Sequence, residues 1–296
     1  MMNRAGKGPD REGTFVDPLR TTASALLPPR LVDAPARRAL QLTGEACLYT
    51  VLSCALLLLL DLADAGLISI FLVAAPLTDR LVVLLEENRH SIYVLRRGSR
   101  QANQRAAAGV LCLFLGIAVG YAAVTAWLGE AATLHVFRFA SQAAGLHTED
   151  LLRHDFGQPL VTFVGNLRVA LVILCLGFVY GAYGGMLALA WNACVWSSVL
   201  VVLLIRVAPG PLGSRLLLAL GILPHLAVEA GSYVLIALAA IFAARALAIR
   251  DLRDKRLRAA LTASLGLLAL AIVGLLAAAL YESWLLPGWV AWIAGR

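Results

Sequence analysis

The chain has 296 residues, of which 60% are hydrophobic and 15% are charged, and its formal net charge is +7. A mean hydropathy of +0.82 excludes an ordinary soluble domain, and several apolar runs reach the roughly 20 residues that a transmembrane helix needs. Because the runs are continuous rather than alternating, they exclude a β-barrel and predict an all-α, polytopic membrane bundle. The basic residues gather beside apolar runs, which indicates membrane topology and not nucleic-acid binding.

Residues 1–38 form the first region, with seven basic and four acidic residues together with Gly and Pro. No apolar core of a signal peptide follows within the usual reach, so this region is predicted to be a disordered basic cytoplasmic tail. Such a tail either binds anionic lipid or stays solvated and enforces the orientation of the first span.

Residues 39–78 are predicted to form a membrane helical hairpin. Asp61, Asp64 and Gly66 interrupt the apolar run, and one long helix would place both aspartates at the bilayer centre, where ionised groups are costly. Two short helices with a tight turn between them avoid this cost, and a re-entrant segment is the alternative.

Residues 79–105 are predicted to form a cytoplasmic amphipathic segment. Leu81, Leu84 and Leu85 are followed by charged residues and then by Ile92 and Val94. A helix of this kind lies on the membrane surface or against a partner.

Residues 106–296 are predicted to form a helical membrane domain. Its apolar runs are 106–127, a block at 159–205 that a glycine cluster at 181–185 divides in two, 216–247 and 259–280. With the hairpin, these runs predict about seven spans. The terminal Trp284, Trp289 and Trp292 are typical of an interfacial anchor.

Positive charge predicts the orientation of these spans. Basic residues are concentrated in 1–38, 79–106 and 245–258, whereas 129–158 is mainly acidic. The positive-inside rule places the three basic segments in the cytoplasm. We therefore expect a multi-pass protein of the cell inner membrane with a cytoplasmic N-terminus and a C-terminus outside.

Three residues within the run 216–247 form the best candidate site. Pro224 lacks an N–H and clashes with the preceding turn, so it predicts a kink or break in the helix. His225 and Glu229 follow on one face, one turn apart. Ionisable groups in a span usually face the bundle interior or a water-filled cavity.

Four further polar residues, Asn166, Arg168, Asn192 and Ser197, lie in the two preceding spans. At about 1.5 Å rise per residue, Arg168 and His225 lie about 16 Å deep, and Asn192 lies about 12 Å from the opposite side. All three approach the midplane of a hydrocarbon core about 30 Å thick. The depths predict a buried ion pair between Arg168 and Glu229, with hydrogen bonds from Asn192 and His225.

Three roles for this polar core stay open: packing between helices, a transport or ligand site, or a catalytic or metal site. A zinc site would need a third and usually a fourth ligand, and no further His, Asp or Cys lies at matching depth. The five cysteines read as small buried hydrophobic residues. We therefore expect no metal and no cofactor.

Enzyme signatures are also missing from the sequence. It contains neither His-Glu-x-x-His, nor Gly-x-Ser-Gly, nor a phosphate-binding loop, so any ATPase would be a separate chain. We expect no catalytic residues and no enzymatic activity.

Three stretches resemble one known family. Asn166-Leu-Arg-Val-Ala opens one span, Asn192 lies in the middle of the next, and Leu223-Pro-His-Leu-Ala-Val-Glu-Ala-Gly231 opens a third. Over residues 105 to 250 this pattern is similar to that of the stage II sporulation protein M family. Ala193, Leu226 and Ala227 depart from it where the family often has glycine.

The resemblance implies an all-helical integral membrane protein of bacterial or archaeal type. In sporulating bacteria, family members look like anchors that recruit cell-wall hydrolases to the septum. Two hypotheses follow: a scaffold or recruiting subunit of a cell-envelope complex, or a permease-like subunit of a transporter that works with a separate ATPase. The expected partners are membrane lipid and other envelope or membrane proteins, such as an ATPase or cell-wall hydrolases, and no nucleic acid.

Overall fold

The computed structural model describes residues 35–62, 64–95, 98–143, 158–207, 212–249 and 255–294, and every regular element within them is an α-helix. The helices are α1 Pro35–Leu59, α2 Ala65–Tyr93, α3 Ser99–Val136, α4 Arg138–Ala143, α5 Pro159–Val207, α6 Leu212–Ile249, α7 Lys255–Trp284 and α8 Leu286–Ala294. The prediction of an all-α membrane bundle is confirmed. Most of the predicted N-terminal tail, residues 1–34, lies outside the described residues.

Six of the described helices are long and apolar enough to cross a membrane, and the longest of them contributes two spans. In α5, Gly181 adopts φ 60° and ψ −133°, backbone angles that favour glycine. A Cβ on Gly184 would meet the carbonyl oxygen of Leu176, although residues eight apart in a straight helix are about 12 Å apart. The chain therefore folds back at Gly181 into a first arm, residues 159–180, and a second arm, residues 182–207. Within the described residues, the bundle thus has seven segments of spanning length.

A second glycine reverses α3 near its end. Gly129 has φ 73° and ψ −179°, and the Thr133 hydroxyl donates to the carbonyl of Thr125, 3.2 Å away and eight residues earlier. The returning turn carries Phe137 into the core, edge-on to Tyr121. Part of the acidic stretch 129–158 is therefore packed helix, while residues 144–157 lie outside the described residues.

Helices α1 and α2 form an antiparallel pair. Asp61 and Asp64, in the short connection between them, both have positive φ, at 47° and 56°, which Asp tolerates better than most residues. Glu45 and Arg80 lie at similar distances on either side of this connection and form an ion pair of 2.9 Å. The connection falls where the sequence predicts the turn.

The predicted amphipathic segment is not a separate element. Helix α2 continues to Tyr93, and a Cβ on Gly109 of α3 would lie 2.8 Å from the Leu84 side chain. Leu81 and Leu85 are buried beside it. The apolar stripe of this segment therefore packs within the bundle, since α2 is long enough to carry it there.

The helix that contains Pro224 is not broken at the proline. Helix α6 runs from Leu212 to Ile249 with Pro224 inside it, so the chain reverses at Gly129 and Gly181 and not at this proline. Both arms of α5 pack on its later half, where Cβ atoms on Gly177 and Gly185 would lie 2.9 Å from Ala240 and Ile241 respectively. Such small residues let helices approach closely in a membrane.

Candidate functional site: a buried histidine–glutamate cluster

The candidate site is centred on the imidazole of His225, which is buried between α6 and α7. Its Nδ1 lies 3.2 Å from the carbonyl oxygen of Ala278, 53 residues later in the chain. A carbonyl oxygen only accepts hydrogen bonds, so the hydrogen-bond network assigns a proton to Nδ1. This contact fixes the ring and turns Nε2 away from α7's backbone.

Two carboxylates face the other ring nitrogen. His225 Nε2 lies 3.2 Å from Glu229 Oε2 and 3.5 Å from Glu282 Oε2, and the three side chains are 9%, 7% and 18% exposed. The hydroxyl of Tyr233 donates to the other Glu229 oxygen at 2.7 Å. His225, Glu229 and Tyr233 are four residues apart on α6 and form one stripe, whereas Glu282 comes from α7.

At least one of the three groups that meet in this cluster must carry a proton. If both carboxylates were ionised and Nε2 carried no proton, only lone pairs would face one another, at high cost in a buried site. A proton on Nε2 or on one carboxyl group supplies the missing donor. The cluster can therefore hold a proton between an imidazole and two carboxylates.

Reciprocal hydrogen bonds around Pro224 join α6 to its neighbours. The Tyr281 hydroxyl of α7 donates to the carbonyl of Gly221 at 3.0 Å, while His225 of α6 donates to a carbonyl of α7. The Trp289 indole of α8 donates to the carbonyl of Leu217 at 2.8 Å. We call His225, Glu229, Tyr233, Tyr281 and Glu282 the α6–α7 brace.

Asn192 and Asn166 lie outside this brace. The Asn192 amide is buried and donates to the carbonyl of Ala188 on its own helix at 2.8 Å. The Asn166 amide nitrogen is buried without a hydrogen-bond partner among the described residues. It lies at helical spacing from the buried Ala170 and Ile173, so it is on the inward side of the first α5 arm.

The predicted ion pair between Arg168 and Glu229 is wrong. Glu229 is occupied by Tyr233 and His225, and Arg168 is exposed and has no ion pair within the described part of the chain. The first arm of α5 is apolar on nearly every side, so its sequence pattern does not indicate which face is buried.

Three members of the brace are not among the residues singled out from the sequence. Tyr233 lies one turn after Glu229 on the same stripe, so helical spacing alone would have found it. Glu282 is a lone acid at the end of the apolar run 259–280, with Tyr281 beside it. Nothing local connects these two residues to His225, because the contact depends on how α7 packs.

The absence of a metal site stays a prediction from the sequence. Across the described residues, no group of three or more His, Cys, Asp or Glu side chains is arranged to hold a metal ion.

Comparison with known proteins identifies one family. Residues 109–287, more than half of the chain, match the model of the family described as Stage II sporulation protein M. The match extends beyond the residues that carry the resemblance and includes α7 with Tyr281 and Glu282. No curated protein and no solved structure matches the chain.

Proposed function

The chain belongs to the Stage II sporulation protein M family, and on this premise we propose that it acts as a scaffold or recruiting subunit of a cell-envelope complex. It is a multi-pass membrane protein. The proposal places it in the cell inner membrane with the N-terminus in the cytoplasm and the C-terminus outside, in accordance with the positive-inside rule. It includes no catalytic activity.

The α6–α7 brace is the observation that carries this proposal. The brace uses its polar groups on one another and on backbone carbonyls of the adjacent helix. In a membrane, polar contacts of this kind hold helices together where no hydrophobic force between them is available. A bundle that is stabilised by its own internal contacts leaves its exposed helix faces available to bind partner proteins, as a scaffold requires.

Purification of the tagged full-length protein in mild detergent, followed by mass spectrometry of co-purifying proteins, tests this role. We expect envelope proteins such as cell-wall hydrolases to co-purify. Recovery of partners per folded protein should be the same for the wild type and for Glu229→Gln, since the brace acts on folding and not on docking. Absence of any envelope protein from the wild-type preparation would count against the scaffold.

A permease-like subunit is the second candidate, and the two carboxylates on one imidazole nitrogen favour it. Buried carboxylate and histidine groups in spans are typical of proton relays, and Pro224 lies directly beside this cluster. On this alternative a nucleotide-binding chain co-purifies, and His225→Gln abolishes nucleotide-stimulated transport while the protein remains folded. On the scaffold proposal the same variant affects only stability.

A further inference from the structure

Arg168 lies near the middle of a transmembrane span. The first arm of α5 has 22 residues from Pro159 to Tyr180, or about 33 Å at 1.5 Å per residue, which just covers a hydrocarbon core about 30 Å thick. Arg168 is the tenth residue of this arm and lies about 14 Å from its start and about 18 Å from its end. Neither headgroup region is close, so snorkelling covers only part of the distance.

The side chain of Arg168 is on the outward face of the bundle. Exposed apolar residues precede and follow it at spacings of three, four and seven: Val161, Val164, Leu171 and Val172. The inward side of the same arm is marked by the buried Ala170, Ile173 and Gly177. A single cation thus stands in the centre of an apolar surface, which we call the Arg168 face: Val161, Val164, Arg168, Leu171 and Val172.

We infer that the Arg168 face docks a transmembrane helix of a partner protein that carries Asp or Glu at mid-membrane depth. The inference rests on the proposed scaffold role and specifies the chemistry of the recruited partner. Charge complementarity supports it, because an ionised guanidinium in hydrocarbon is costly until it is paired. A carboxylate can accept two parallel hydrogen bonds from the guanidinium, and valine and leucine surround the pair.

A symmetric dimer does not satisfy this face. A two-fold contact places the same surface of each copy in register, so a contact centred on Arg168 brings two guanidinium groups together. Like charges in a low-dielectric environment repel strongly. An acidic residue on a different protein would neutralise the positive charge of Arg168, whereas a second copy of this chain would double it.

Site-specific photo-crosslinking in the native membrane tests the inference with the full-length chain. A photoreactive residue at Val164 or at Leu171 lies one turn from Arg168 on either side. Val273, on an exposed part of α7, is the matched control. We expect both face positions, but not Val273, to form an adduct with one membrane protein whose captured helix contains Asp or Glu.

Substitution of Arg168 then tests the charge itself. Arg168→Leu should reduce the adduct about tenfold, the factor that corresponds to 1.4 kcal/mol, and Arg168→Lys should reduce it less. Arg168→Glu should abolish the adduct, and replacing the partner's acid by Arg should restore it. Gel filtration checks that each variant is folded, which is expected because Arg168 is exposed.

Several outcomes would overturn the inference. An adduct that is unaffected by Arg168→Leu, an adduct of twice the chain's own mass, or adducts with lipid alone would each exclude a carboxylate-bearing partner helix. If envelope proteins still co-purified in those cases, the scaffold role would stand and only this docking face would be wrong. If none co-purified, the scaffold role itself would fail.

Discussion

Glu229 on α6 and Arg168 on the first arm of α5 lie at nearly the same depth but in different environments. The first arm of α5 and helix α6 run in the same direction, and Gly177 of the arm approaches Ala240 of α6. Nine residues before each of these positions, Arg168 therefore lies at about the depth of Gly231, close to Glu229. Glu229 is buried with Tyr233 and His225 as partners, whereas Arg168 is exposed.

This difference shows that two polar residues at the same depth in the membrane do not necessarily belong to the same site. A polar group saturated by its own chain strengthens the bundle, while a polar group on an outward face is left for another molecule. The predicted polar core therefore divides into an internal brace and an external docking face. Substitutions that affect folding should concentrate in the first, and substitutions that affect partners in the second.

The largest effect is expected from Glu229→Ala. It removes the acceptor of the Tyr233 hydroxyl and a carboxylate beside His225 in a buried site, and we expect a loss of about 3 kcal/mol of stability. The thermal midpoint followed by fluorescence-detected gel filtration measures it. Glu229→Gln keeps an acceptor for Tyr233 and should lose clearly less. A fully stable Glu229→Ala protein would contradict the brace.

The next largest effect on stability is expected at Gly221, with Gly165 as the control. A Cβ on Gly221 of α6 would meet the indole of Trp289, whereas a Cβ on Gly165 of α5 meets nothing within 4 Å. We expect Gly221→Ala to destabilise the protein by about 1–3 kcal/mol and Gly165→Ala to be neutral or to stabilise it by up to about 1 kcal/mol. Equal thermal midpoints for the two variants would show that α8 does not pack as described.

A smaller effect is expected for single hydroxyl groups. Tyr281→Phe removes the hydrogen bond to Gly221 and should cost about 1 kcal/mol. Tyr180→Phe on the first arm of α5 is the control, because this tyrosine is exposed and its hydroxyl has no hydrogen bond among the described residues. Denaturation in mixed micelles compares the two, and the brace predicts a loss only at Tyr281.

The smallest effect on folding is expected at Arg168. Because its side chain is exposed, Arg168→Leu should change the stability of the purified protein by no more than about 0.5 kcal/mol, while weakening partner crosslinking as proposed. The thermal midpoint in detergent is the measurement. A loss of stability comparable to that of Glu229→Ala would indicate that Arg168 is buried inside the bundle.

Much of the fold was predictable because the spanning helices and the turns between them have recognisable local sequence patterns. Apolar runs of spanning length, the aspartates at the α1–α2 turn and the glycines near 181 together indicate about seven spans, since the bilayer fixes how long an apolar helix must be. The continuation of α2 through 79–93 was less accessible, because an amphipathic stripe looks the same whether it packs on lipid, on a partner or on α3.

Residue type and spacing were enough to predict the long apolar helices, their approximate depths, and the position of His225 and Glu229 on one face of one helix. These features follow from residue type and from a rise of about 1.5 Å per residue. The packing of the helices adds Glu282 and the Ala278 carbonyl to the cluster and places Arg168 on the outward face. A helix that is apolar all round carries no local record of which side is buried, so its rotation is set by packing against residues distant in the chain.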